Sequence, residues 1–295
     1  MTKNIDNGVL FMLGSALISA LNGAIAKILS DDISALEIVF FRNVIGVMII
    51  LYALKHTPPK LNGGKLHLLI TRGLLGFTAM ILFFYTITTI PLGIAITLNK
   101  TSPLFVSIIA FYLLDEHLNK NTIFALLIGF LGIIFITKPF GVTLSYEHFL
   151  GLLGGFFAAS AYATIRTIKN IYDSRVIVLS FVSIGSLLPA LLFSITPFVN
   201  PPEYLKFLFV EFVIPTNLTI WLLILFMAII STLSQWLLTK AYSFSNASII
   251  GVISYTNIPF AIGFGFILGD KLPDMYTFFG IGLIIIGGIL VSSSK

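Results

Sequence analysis

The chain has 295 residues, of which 57% are hydrophobic and only 10% are charged. Soluble globular domains carry about 25% charged residues, so this composition excludes an ordinary soluble fold and indicates a membrane protein. Without cysteine, the chain has no disulfide, thiolate metal site or cysteine nucleophile. The net charge of +5 does not indicate nucleic-acid binding, because the cations are spread over loops between apolar segments.

The apolar segments are apolar on all sides, which favours transmembrane helices over barrel strands with alternating polarity. The first segment is too long for a typical signal-peptide core, so we interpret it as a span. Glycine-rich runs in the fifth and tenth segments predict close helix packing. In chain order, the ten candidate spans are residues 8–29, 34–54, 68–90, 92–114, 121–138, 149–170, 176–198, 219–241, 246–268 and 275–293.

The lysines and arginines favour one orientation in the membrane. If the N-terminus is cytoplasmic, most of them fall on or near the cytoplasmic side, as the positive-inside rule requires. The expected location is the cell inner membrane, with multiple passes and both termini cytoplasmic. This assignment counts Arg72 among the cations on or near the cytoplasmic side and leaves Arg42 and Lys100 inside the membrane.

The second half of the chain repeats the pattern of the first. TTIPLGIAITLNKTSPLFVSIIAFYLLDEHL matches FSNASIIGVISYTNIPFAIGFGFILGDKL, which aligns Pro103 with Pro259 and, with a gap, Glu116 with Asp270. Because each half has an odd number of spans, the second must enter the membrane inverted. The predicted fold is therefore an all-α integral membrane protein of ten transmembrane helices, built as inverted five-helix repeats at residues 1–140 and 141–295.

Two cations lie within apolar segments and have no carboxylate at the same depth: Arg42 in ALEIVFFRNVIGVMIILYAL and Lys100 in GIAITLNKTSPLFVSIIAFYLL. Intramembrane charges are costly and usually functional, and a guanidinium can bind a carboxylate or phosphate through two hydrogen bonds. Alternatively, Arg42 caps backbone carbonyls or pairs with another helix, although Glu37 faces a different direction. We predict a site for an anionic or zwitterionic molecule.

Pro103 and Pro259 are expected to bend the fourth and ninth spans, because proline lacks a backbone donor. The bends would expose the polar residues just before them to a shared cavity. The alternative is that these polar groups only form hydrogen bonds between helices. The predicted substrate-binding residues are Arg42, Asn99, Lys100, Tyr85, Tyr255, Asn257, Gln235, Trp236, Asn22 and Tyr162.

Two carboxylates at span ends, Glu116 and Asp270, are candidates for ion coupling. The simpler interpretation is structural, as partners of nearby lysines or as helix caps. We see no acid or histidine at mid-depth that would titrate during transport, so proton coupling, exchange and uncoupled passage all stay open. We expect no metal and no cofactor.

ALEIVFFRNVIG, LLITRGLLGFTAMILFFYTITTIPLGIA and LNKTSPLFVSIIAFYLLDEHL resemble the drug/metabolite transporter (DMT) superfamily, and specifically its ten-helix EamA-type group. The resemblance covers the whole chain, although Leu114-Asp115-Glu116 stands where the family often has Gly-Glu, and Lys100 is less typical. It implies a secondary transporter that moves a small molecule by alternating access. We expect a monomer or a homodimer.

The resemblance does not identify the substrate, because the superfamily carries amino acids, vitamins, nucleosides, drugs and sugar derivatives. We expect export of a metabolite or drug, and from the buried cations we expect this molecule to be carboxylate-bearing or zwitterionic. The alternative is uptake or exchange of a nucleoside, a vitamin or an S-adenosylmethionine-like metabolite.

An intramembrane enzyme is the competing class. Its best support is Asp31-Asp32, which would be half of an acidic metal-binding motif, but the other acids are scattered on both faces. The sequence has no HExxH, GxSxG or P-loop. We therefore predict that the protein is not an enzyme, and paired broken helices favour a carrier over a channel.

Overall fold

The computed structural model describes residues 7–29, 32–59, 63–89, 98–116, 119–137, 145–267 and 274–293. Within these ranges the regular structure is helical throughout. Asp270 and Asp31 lie outside the described residues. The α-helices are α1 (Asn7–Leu29), α2 (Ala35–His56), α3 (Leu66–Thr89), α4 (Ser102–Leu113), α5 (Lys120–Thr137), α6 (Tyr146–Ile168), α7 (Ser174–Ile195), α8 (Leu218–Phe244), α9 (Ala247–Ile253), α10 (Asn257–Ile267) and α11 (Met275–Ser293).

The described helices confirm a multi-pass membrane fold. Seven stretches in the described ranges are long and apolar enough to span a bilayer, with α9 and α10 counted together, and α4, α5 and α11 are shorter apolar helices. Together they follow the predicted order of ten spans, and most predicted ends hold to within a few residues. The ninth span is not continuous, because Ser254–Thr256 forms a 3-10 turn between α9 and α10.

The two halves run in opposite directions. α1 begins beside the end of α8, where Gly8 lies against Ser245, whereas α6 begins beside the end of α3, where Gly151 lies against Thr86. α1 packs on α8, and α6 packs on α3. Since α6 corresponds to α1 and α3 corresponds to α8 in the repeat, these are equivalent contacts of the two halves. This is the inverted arrangement that an odd number of spans per half predicts.

The end of the bundle where α8 connects to α9 is here named the α8–α9 end. There the backbone N–H of Gly63 donates to the carbonyl of Ile171 at 3.2 Å. Arg175 Nη1 donates to the carbonyl of Thr57 at 2.8 Å. The guanidinium of Arg175 also pairs with Asp173 at 3.0 Å, and its hydrogen bonds hold the pKa of that carboxyl below the ordinary value. These contacts join the α2–α3 and α6–α7 loops.

The opposite end is covered by the long connection from α7 to α8 and is named the α7–α8 end. Glu37 fixes this connection, because its carboxylate accepts a hydrogen bond from the backbone N–H of Val213 at 2.6 Å. The same carboxylate accepts from the backbone N–H of Ser34 at 2.8 Å and completes a capping box at the start of α2. Glu37 is thereby committed to backbone groups and does not pair with Arg42.

Glycines bring α5 and α11 into backbone contact. A Cβ on Gly132 would lie 2.6 Å from the carbonyl oxygen of Gly280, and a Cβ on Gly280 would lie 2.5 Å from that of Gly132. Small residues at such contacts are typical of membrane helices, which associate through close packing. The contact between Gly132 and Gly280 is here named the glycine seam.

We predict that Gly132→Leu lowers the melting midpoint of the purified protein by several degrees, because overpacking a tight contact costs about 1–3 kcal/mol. Gly282→Leu is the matched control on α11, since a Cβ there meets no atom within 4 Å. Thermal unfolding in detergent measures both variants. Equal losses in the two would show that the seam does not limit stability.

Candidate functional site

Arg42 is buried in α2 with 8% of its surface exposed. Its Nη2 donates to Sδ of Met80 on α3 at 2.6 Å and lies 3.5 Å from Oδ1 of Asn43, while Nε has no hydrogen-bond partner among the described residues. A thioether is a weak acceptor for a guanidinium. Among the described residues, the ion pairs are Arg166–Glu116, Arg175–Asp173 and Lys206–Glu203. Arg42 takes part in none of these pairs.

Lys100 lies where the fourth span is interrupted. The backbone N–H of Thr101 donates to the carbonyl of Leu98 at 3.2 Å, which closes a single turn, and α4 begins one residue later with Pro103 in its first turn. Pro103 cannot donate a backbone hydrogen bond to that turn. Asn99 and Lys100 are half-buried on this interrupted stretch.

The ninth span is interrupted at Ser254–Thr256. Tyr255 is fully buried with its ring against Gly129 of α5, and its hydroxyl has no hydrogen-bond partner within the described ranges. Asn257 donates from Nδ2 to the carbonyl of Ala16 on α1 at 2.9 Å. The side chain of Tyr255 therefore points toward α5, and that of Asn257 joins α10 to α1.

The two interruptions pack on corresponding helices of the two halves. A Cβ on Gly155 of α6 would lie 3.0 Å from the carbonyl of Leu98, next to Asn99. On the other side, Asn257 is bonded to α1, which is the counterpart of α6. Pro259 lies early in α10, as Pro103 lies early in α4. The repeat therefore extends to the packing around each break.

Trp236 on α8 is half-buried, as is its neighbour Gln235. The indole N–H of Trp236 has no hydrogen-bond partner in the described part of the chain, and Nζ of Lys240 lies 5.6 Å from the ring centroid. Trp236 also packs on a group of buried side chains that includes Phe181. On α1, Oδ1 of Asn22 is buried and likewise without a described partner.

Two of the predicted tyrosines lie far apart. Tyr162 stacks on Tyr242 of α8, with ring centroids 4.9 Å apart and an angle of 15° between planes. Tyr85 instead lies at the α7–α8 end, where its ring centroid is 4.0 Å from that of Phe207. Because α6 begins at that end and Tyr162 is several turns along it, the structure does not bring these two residues together.

Arg72, which the orientation assignment places on or near the cytoplasmic side, is buried against other helices. Its side chain is 1% exposed, and its guanidinium carbon lies 5.0 Å from the ring centroid of Phe181 on α7. Room for the guanidinium comes from Gly76, one turn further along α3, because a Cβ there would collide with Nη1. A sequence signal existed in the Arg-x-x-x-Gly spacing inside an apolar run, but burial also requires Phe181 from a distant helix.

Glu116, at the end of α4, is 7% exposed and connects the two halves. Its carboxylate accepts from Nε of Arg166 at 2.9 Å and from the backbone N–H of Ala247 at 3.0 Å, with Ser248 Oγ at 3.4 Å. These four residues are here named the latch. A carboxylate of the first half thus caps α9 of the second, paired with an arginine and not a lysine. Burial, followed by the charge of Arg166, lowers the pKa of neighbouring Lys169.

A cavity of about 510 Å³ lies between α3, α6 and α7 near the α7–α8 end. Its lining is apolar apart from Thr78 and Tyr146. Neither Arg42 nor Arg72 belongs to this lining, so the cavity itself offers no cation. Among the described residues, no group of histidines and carboxylates has the arrangement of a metal site.

The model of the EamA-like transporter family matches residues 6–138 and again residues 145–293. The pseudopaline exporter CntI of Pseudomonas aeruginosa (strain UCBPP-PA14) is 30% identical over 99% of this chain and 98% of its own. An uncharacterized transporter of Helicobacter pylori (strain 26695) is 31% identical over 99% of this chain and 96% of its own. The S-adenosylmethionine uptake transporter of Rickettsia prowazekii is 24% identical over 99% of this chain and 95% of its own.

A solved protein crystal structure superposes on 99% of this chain and 100% of its own, with a TM-score of 0.78. The two sequences are 16% identical, so the likeness shows a shared fold.

We predict that Glu116→Gln opens the latch. The probe is Ala163→Cys in this cysteine-free chain, since Ala163 is 5% exposed and lies in the same core cluster as Ala247. Losing a charged hydrogen bond costs about 1.5–3 kcal/mol, so maleimide should modify the cysteine roughly tenfold faster or more. Glu203→Gln is the control, because Glu203 belongs to an exposed pair. An unchanged rate in Glu116→Gln would contradict the latch.

Proposed function

Because the chain belongs to the EamA-like transporter family over nearly its whole length, we propose that it carries a small carboxylate-bearing or zwitterionic molecule across the cell inner membrane by alternating access. The protein is a membrane transporter and not an enzyme. The observation that carries the proposed substrate class is the burial of Arg42, whose guanidinium meets a thioether in place of a carboxylate.

A buried guanidinium without a countercharge is unfavourable, and a substrate anion supplies the missing acceptors. Such a pair can form two parallel charge-assisted hydrogen bonds, which are stronger than neutral ones. Lys100 lies on an interrupted stretch, where the chain can change direction, and provides the second cation of the proposal. Trp236 packs on the same buried cluster as Met80, the acceptor for Arg42, and offers an aromatic surface to the rest of the substrate.

We propose export as the direction of transport. The support is the full-length similarity to a protein named as an exporter, at 30% identity. Uptake or exchange is the second candidate, supported by the likeness to a protein named as an S-adenosylmethionine uptake transporter, at 24% identity. Under that alternative the substrate is a nucleoside, a vitamin or an S-adenosylmethionine-like metabolite.

The proposed orientation places the α8–α9 end and both termini in the cytoplasm. This end carries an excess of basic residues, with Lys55, Lys65, Lys169 and Arg175 in or beside its loops. The latch then closes the cytoplasmic side. The repeats at residues 1–140 and 141–295 form one bundle, so we propose that a monomer suffices, with a homodimer as the alternative.

We predict that Arg42→Ala and Lys100→Ala each abolish the rise in melting midpoint that a carboxylate ligand produces. A ligand that prefers the folded state raises this midpoint, and losing one charged contact should weaken affinity roughly tenfold or more. A screen of amino acids, nucleosides, vitamins and sugar acids on purified protein identifies the ligand. Lys206→Ala is the control, since that lysine is 65% exposed. If only neutral or cationic compounds raise the midpoint, the anion proposal fails.

We predict for Lys100→Ala a loss of transport without a loss of folded protein. Proteoliposomes loaded with the ligand from the screen measure its efflux and its counterflow, and size-exclusion chromatography in detergent checks folding. Normal transport by this variant would show that Lys100 is not part of the site. Accumulation that proceeds only from the face carrying the termini supports export, and accumulation only from the opposite face supports uptake.

A further inference from the structure

Two buried arginines lie against the same face of α3. The guanidinium of Arg72 lies over Gly76, and that of Arg42 donates to Met80, one turn later. Positions four residues apart on a helix are neighbours on one face. Arg42 comes from α2 and Arg72 from α3 itself, so the two side chains approach successive turns from different directions.

Both guanidinium groups also border one group of buried side chains. Phe181, which lies under Arg72, belongs to a cluster in which Met80 and Trp236 are packed. Arg42 touches this cluster through Met80. This cluster is built from side chains of α2, α3, α7 and α8, and both cations border it.

Neither cation is neutralised within the described ranges. Nε of Arg42 and both Nε and Nη1 of Arg72 are buried without a hydrogen-bond partner there. The described carboxylates that are buried are Glu37 and Glu116, and each is engaged by other groups at an end of the bundle. Cation–π contact with Phe181 offsets part of the cost for Arg72, but it satisfies no N–H group.

We propose that Arg72 is a substrate-binding residue and that the substrate carries two anionic groups, one for Arg42 and one for Arg72. This inference rests on the proposed function, which assigns one anionic group to Arg42. The matching chemistry is a dicarboxylate, or a carboxylate joined to a phosphonate or phosphate, whose connecting chain lies along α3 beside Phe181. Trp236 borders the same cluster and covers the apolar part of that chain.

The test compares dianions with monoanions of equal length on the purified protein. The probes are succinate, glutarate and adipate against butyrate, valerate and hexanoate, with 3-phosphonopropionate as the phosphorus-containing dianion. Melting midpoints across a concentration series give apparent affinities. We expect at least one dianion to bind roughly tenfold or more tightly than its monoanion counterpart, because each charge-assisted contact adds to affinity. Equal binding of dianions and monoanions would overturn the inference.

Arg72→Gln should reduce dianion binding to the monoanion level and leave monoanion binding unchanged. A purely structural arginine would weaken both kinds of ligand together, and that result would contradict the proposal. Gly76→Ala is the second variant, since it keeps the charge while its Cβ collides with Nη1 of Arg72 and with the ring of Phe181, and Gly282→Ala is its control. If Lys100→Ala removes the dianion preference while Arg72→Gln keeps it, the second anionic group belongs to Lys100 and the inference fails.

The proposed function fails separately. If no anion shows binding that depends on Arg42, the anion site itself is absent. If monoanions bind in an Arg42-dependent manner but Arg72→Gln and Gly76→Ala leave the ratio of dianion affinity to monoanion affinity unchanged, the proposed function stands and Arg72 is excluded from the site.

Discussion

The absence of water from the hydrocarbon core governs this structure, because each backbone group there needs a partner within the protein. Continuous helices satisfy that requirement, and interruptions are tolerated where other helices cover them. The break before Pro103 is covered by Gly155 of α6, and the break at Ser254–Thr256 is followed at once by the bond from Asn257 to α1. The polar stretches at these breaks are thus placed where packing permits them.

Features that depend on local sequence were predictable. The ends of the spans follow the ends of the apolar runs, and Glu37 faces away from Arg42 because residues five apart on a helix point in different directions. The burial of Arg42 follows from its depth in a long apolar run. The inversion of the halves follows from the odd number of spans in each.

Features that depend on contacts between distant helices were not predictable. Arg72 is six residues into α3, a position from which an arginine can reach an interface, whereas the structure packs it against Phe181 and over Gly76. The ring of Tyr255 packs on Gly129 of α5, and this contact with a distant helix sets the orientation of its side chain. The choice of Arg166 as the partner of Glu116 depends likewise on how α6 meets α4.

The glycine seam has a mechanical consequence. At Gly132 and Gly280 the backbones of α5 and α11 touch so closely that neither helix can slide along the other without a collision between main-chain atoms. Such a contact resists translation but allows a small rotation about the point of touch. Under the alternating access proposed above, the seam is the fulcrum, and the displacement of the halves would grow with distance from it.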